Sequence, residues 1–199
     1  NEVTITWNEN AQEDTYGYVI YVQNAAGSIV ELDQVLGISS TSYTYSPDVT
    51  VGPLTYSVAA FDSCFTSSIP STYQTSAKAN VHTTVFLTRS LDICNRTVQL
   101  NWSNYVGWPS VDRYEVYSKN NLGTWVLEGS TTGTSYTVDV IDALTYDFVI
   151  QAYSSLGAIS FSNRVSIFIA APNQPAFNYL RLATVSNKEI HLRLHIDAS

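Results

Sequence analysis

The chain reads as an all-β protein built from successive antiparallel sandwiches, and three observations point there. Tyr, Thr, Val, Ile and Ser are abundant while Lys, Glu and Ala-rich stretches are few, which favours strands over helices. Short segments alternate apolar and polar residues with period two, between clusters of Gly, Asn, Ser and Pro. One such segment recurs at a spacing of roughly 90 residues, so 199 residues divide into two ordinary domains and a remainder.

The first element is Val3-Thr4-Ile5-Thr6-Trp7. It returns as Val98-Gln99-Leu100-Asn101-Trp102 and, more loosely, as Ile190-His191-Leu192-Arg193-Leu194. In each copy one face enters a core and the other meets solvent or a neighbouring strand's side chains. Next comes Tyr18-Val19-Ile20-Tyr21, answered by Tyr114-Glu115-Val116-Tyr117, and then Thr41-Ser42-Tyr43-Thr44, repeated identically at 134–137. Tyr56-Ser57-Val58-Ala59-Ala60 corresponds to Phe148-Val149-Ile150-Gln151-Ala152. That register agrees with the neighbouring offsets better than the one suggested by the shared Leu-Thr-Tyr at 54–56 and 144–146. The units expected are residues 1–80, lacking a first strand, residues 81–171, and residues 172–199, holding only the first two strands of a third. The last strand of the first unit should pass into the first strand of the second near His82. The chain contains no Met and reads as a processed or excised piece.

Trp7 and Trp102 on the second strand, Tyr-x-[Ile/Val] on the third, and a Leu-x-Tyr corner ending in Ala together resemble fibronectin type III modules. The resemblance covers nearly the whole chain and implies tandem immunoglobulin-like sandwiches. Trp7, Trp102 and Tyr146 are then core residues, with Tyr146 at the tyrosine corner. No Arg-Gly-Asp adhesion triplet is present. A narrower likeness lies in Ala60-Phe61-Asp62-Ser63-Cys64, Cys94, Leu100-Asn101-Trp102-Ser103-Asn104-Tyr105 and Gly107-Trp108. This set resembles module arrays of large secreted Bacteroidetes proteins described as gliding-motility-associated, and implies a secreted or cell-surface location.

In an exported chain the only cysteines, Cys64 and Cys94, are candidates for a disulfide, a pairing the resemblance also implies; the alternative is two free thiols. The sandwich topology puts them at opposite poles of successive modules. In a straight rod they would lie roughly 60–70 Å apart, and a disulfide needs Cα atoms within about 7 Å. The bond therefore demands a folded-back pair of modules.

Chemistry-bearing residues are sparse. Lys and Arg total 9 against 17 Asp and Glu, and residues 1–80 hold eight acids with Lys78 as the sole base, so nucleic acid and anionic membranes are disfavoured as partners. No apolar run is long enough for direct membrane insertion by a helix. His191 and His195 share a strand face but sit roughly 13 Å apart, too far to ligate one ion, and His82 has no Cys or acid at ligand spacing. Glu9, Glu13 and Asp14 cluster in a loop that reads as solvated rather than as a calcium site. Gly-x-Ser-x-Gly, His-Glu-x-x-His and phosphate-cradling glycine loops do not occur, and no enzyme activity or cofactor is expected. Sequons at Asn95 and Asn101 read as chance.

Tyr105 and Trp108 stand in the loop facing the preceding module, as an intermodule contact or a ligand contact. The partners expected are other domains of the same polypeptide and a protein or glycan ligand. The leading function is a structural or interaction module acting as spacer or adhesive scaffold, and the alternative is an accessory carbohydrate-binding region of a secreted glycoside hydrolase. Leu180, Leu182, Ile190, Leu192 and Leu194 would form an apolar face that two strands cannot cover, so that pair should dock on the second module or on another molecule.

Overall fold

A computed structural model of the chain describes residues 2–24, 26–62, 75–171, 178–186 and 189–196, and its regular elements are all strands. The first unit contains β1 (Val3–Thr6), β2 (Thr15–Gln23), β3 (Ile29–Leu36), β4 (Ser42–Tyr45), β5 (Thr55–Asp62) and β6 (His82–Thr83). β1 pairs with β4, facing a second sheet in the order β3-β2-β5-β6. The second unit contains β7 (Leu87–Asp92), β8 (Thr97–Trp102), β9 (Val111–Asn120), β10 (Val126–Thr131), β11 (Ser135–Asp139), β12 (Thr145–Ser154), β13 (Ile159–Phe161) and β14 (Val165–Phe168). Its sheets are β11-β8-β7 and β10-β9-β12, with β13 and β14 both on the far edge of β12. All ladders are antiparallel, and a three-stranded sheet against a five-stranded one whose far edge is split between β13 and β14 is the immunoglobulin-like arrangement. β15 (Asn178–Ser186) and β16 (Glu189–Ile196) form a separate hairpin.

The two units are built on one register. Tyr18 opposes Ala60 as Tyr114 opposes Ala152, which puts Tyr56 at the position of Phe148. Each unit also repeats a tryptophan against a tyrosine: Trp7 and Tyr18 ring centroids are 5.3 Å apart, Trp102 and Tyr114 5.6 Å. Both tyrosine hydroxyls tie down the loop after the tryptophan strand. Tyr18 Oη accepts from Asn10 N–H at 2.9 Å and donates to Ile38 C=O at 2.7 Å, while Tyr114 Oη accepts from Tyr105 N–H at 3.3 Å. The β3-β2-β5-β6 sheet of the first unit runs on to Thr83, three residues beyond 80, because β6 pairs with β5 and leads within four residues into β7.

Burial separates the units. In the second, Val98, Leu100, Trp102, Tyr114, Val116, Phe148, Ile150 and Ala152 make one continuous core between the sheets. Strict alternation fails in the first. β2 buries Gly17 to Tyr21 without interruption, since its sheet packs Tyr18, Ile20 and Tyr56 on one face and Val19, Tyr21, Ala59 and Phe61 on the other. The reason lies in side-chain chemistry: the positions of Val19, Ala59 and Phe61 are held in the second unit by Glu115, Gln151 and Tyr153, which are polar.

Candidate functional site

Two features converge at the boundary between the units, and the first is the joint. Thr83 N–H donates to Val106 C=O at 3.0 Å and Val106 N–H returns to Thr83 C=O at 3.2 Å, a reciprocal backbone pair between β6 and the loop after β8. Beside it, His82 Nδ1 lies 2.7 Å from Tyr105 Oη, and Tyr105 stacks on Trp108 with centroids 3.8 Å apart. Burial pushes the Tyr105 phenol up to about 12 and holds His82 below its ordinary value. Both groups are therefore neutral near pH 7, and a single hydrogen bond joins them, its direction set by the imidazole tautomer. Gly107 has φ +117°, and a Cβ there would meet His82 Nδ1 at 2.6 Å and the Val81 carbonyl oxygen at 2.9 Å. Only glycine lets the loop pass this close.

The second feature is a cleft of about 1350 Å³ along β1, lined in the first unit by Val3, Ile5, Trp7, Val58 and Ala60 and in the second by Trp108, Ile159 and Phe161 among others. The five residues of the first unit are half-buried, whereas their counterparts Val98, Leu100, Trp102, Ile150 and Ala152 are 0–6% exposed. The difference has a visible cause. In the second unit β7 pairs along β8 and, with the residue run before it, brings Val85, Leu87 and Leu91 over that core. Among the described residues no strand pairs with the outer edge of β1.

Of the residues singled out from the sequence, Trp102 and Tyr146 are buried, and Tyr146 Oη accepts from Ile141 N–H at 3.2 Å. Trp7 is half-buried and lines the cleft. Cys94 is exposed, and Cys64 lies outside the described residues, as do the side chains of His191 and His195. Glu9 accepts from Ser39 Oγ at 3.3 Å, and no group of three metal-ligating side chains occurs among the described residues. The sequence reading missed a polar ladder on the outer face of the second unit. Arg113 binds Glu115 Oε1 at 2.8 Å and lies 4.0 Å over the Tyr153 ring, and Tyr117 Oη donates to Glu115 Oε2 at 2.8 Å. The signal was the period-two run of polar and aromatic residues on two strands that pair.

No family model and no curated protein matches the chain. Solved structures similar to it include the sixth fibronectin type III domain of human fibronectin type III domain containing protein 3, 22% identical over 46% of this chain and 88% of that one, with TM-score 0.41. A two-domain fibronectin type III segment of chicken tenascin is 16% identical over 85% of this chain and 92% of its own, with TM-score 0.33. Pectate lyase PelI from Erwinia chrysanthemi, solved with tetragalacturonic acid, is 20% identical with TM-score 0.37. The match covers 42% of this chain and 28% of the lyase.

Proposed function

We propose that the chain is a non-catalytic structural and interaction segment of a secreted or cell-surface protein, a spacer that holds neighbouring domains of the same polypeptide at a set distance. The observation that carries this reading is the joint. A spacer must transmit position, and here the reciprocal Thr83–Val106 backbone pair, the His82–Tyr105 hydrogen bond and a connection of three residues between β6 and β7 restrict rotation of one sandwich on the other. The residue set 60–64, 94 and 100–108 supports export in an array like those of large secreted Bacteroidetes proteins. An accessory carbohydrate-binding role has less support, because Tyr105 and Trp108 spend a ring face on each other. Small-angle scattering at low concentration, with a spin-label pair spanning the joint, tests the spacer. The expected result is a narrow interunit distance distribution that broadens in Gly107→Ala; a distribution equally broad in both proteins would overturn it. A glycan array should be blank.

A further inference from the structure

Among the described residues the groove in the first unit has no covering strand, whereas the second unit displays the equivalent groove filled. What fills it there is an extended stretch that pairs with β8 through the backbone and lays Val85, Leu87 and Leu91 over the core, while Arg89 in the same alternation stays exposed. A strand of that kind would cover β1, and the backbone hydrogen bonds for it are in place. Trp7 N–H donates to Thr41 C=O at 3.1 Å, opposite it in register, so the amides of Val3, Ile5 and Trp7 face β4 and those of Thr4 and Thr6 face the open edge.

The chain carries a matching strand. β16 alternates Ile190, Leu192, Leu194 and Ile196 with His191, Arg193 and His195. Ile190 and Leu192 are 75% and 63% exposed, so the second unit does not cover them. Charge selects the pair further. Glu2 and Glu9 flank β1 and line the cleft in a unit whose only base is Lys78, whereas residues 178–196 hold Arg181, Lys188 and Arg193 against Glu189 alone. A hairpin of net positive charge next to an acid-flanked edge is favoured in encounter. Backbone pairing supplies affinity while alternate pockets supply specificity, as in other cases of strand addition.

We propose that β16 of a second copy of this chain adds to the outer edge of β1, setting Ile190 and Leu192 over Val3, Ile5 and Trp7. Donor and acceptor are different surfaces of one chain, so the contact is heterologous and propagates head to tail. This goes beyond the spacer reading, which stands for a monomer as well.

Sedimentation of the 199-residue chain across the micromolar range tests it, using two variants that each disable one partner surface. Thr6→Pro removes an amide from the open edge without touching the β1–β4 ladder, and Leu192→Lys places a charge on the donor face. The wild type should grow past dimer with concentration and less so in high salt, whereas each variant alone should stay monomeric with unchanged circular dichroism. Mixed together, the two variants should give a 1:1 dimer and nothing larger, since Thr6→Pro keeps its donor and Leu192→Lys keeps its acceptor. A wild type that remains monomeric, undiminished association of either variant, or cross-links joining β16 to β1 within one chain would each overturn the proposal. Should Thr6→Pro lose its circular dichroism signature, Thr4→Pro replaces it with the same expected outcome.

Discussion

Trp7 and Trp102 occupy equivalent places on equivalent strands, each against a tyrosine, yet only Trp102 is fully inside. Truncating a buried tryptophan leaves a cavity as well as losing transfer free energy, so Trp102→Ala should cost about 3–5 kcal/mol. Trp7→Ala should cost clearly less, because part of its ring already faces the cleft. Urea denaturation of the two variants checks the ordering, and an equal loss would show that the cleft is closed in solution. His82 supplies a pH test with a definite sign. Its folded pKa is depressed by burial, so its contribution to stability is complete above the unfolded value of about 6.5 and is lost as pH falls through the lower folded value. The stability difference between wild type and His82→Gln should therefore shrink on titration from about pH 7 to about pH 5. A constant difference would mean that the imidazole protonates in place without penalty.

At the level of elements, Gly107 and β2 mark what the sequence did and did not disclose. The strands around Val3, Tyr18, Ser42 and Tyr56 and their counterparts in the second unit were legible, because period two and an internal repeat coincide there, and even the register of β5 followed from offsets. Gly107 was noticed only as part of a resemblance; that it must be glycine depends on the approach of His82 from 25 residues away, which no local pattern encodes. β2 shows a related limit. Alternation predicts one buried face only when the other meets solvent, and here both faces of the sheet are packed. Gly107→Ala should cost about 1–3 kcal/mol, combining an unfavourable positive φ with the clash at His82. The loss should appear together with disappearance of the nuclear Overhauser contact between His82 and Tyr105. Loss of stability with that contact retained would place the strain within the loop rather than at the joint.

On the scale of the whole molecule, the described residues form separate buried cores in the two sandwiches, so these should unfold as two units rather than one. The sequence disclosed the tandem but not this inequality, since the same Val-x-Leu/Ile-x-Trp pattern sits under a cover in one unit and beside an open cleft in the other. The first unit should melt at lower urea because Val3, Ile5, Trp7, Val58 and Ala60 recover part of their hydration in the folded state. Trp7 is the only one of the four tryptophans in that unit, so a Trp7→Phe variant should lose the early fluorescence transition and keep the late one. Concentration then separates an open groove from a filled one. A partner strand that binds native β1 and not the unfolded chain stabilises the first unit by mass action and leaves the second untouched. The early midpoint, followed by circular dichroism, should thus rise with protein concentration in the wild type and stay fixed in Thr6→Pro, while the late midpoint stays fixed in both. A late midpoint that moved instead would place the association on the second sandwich.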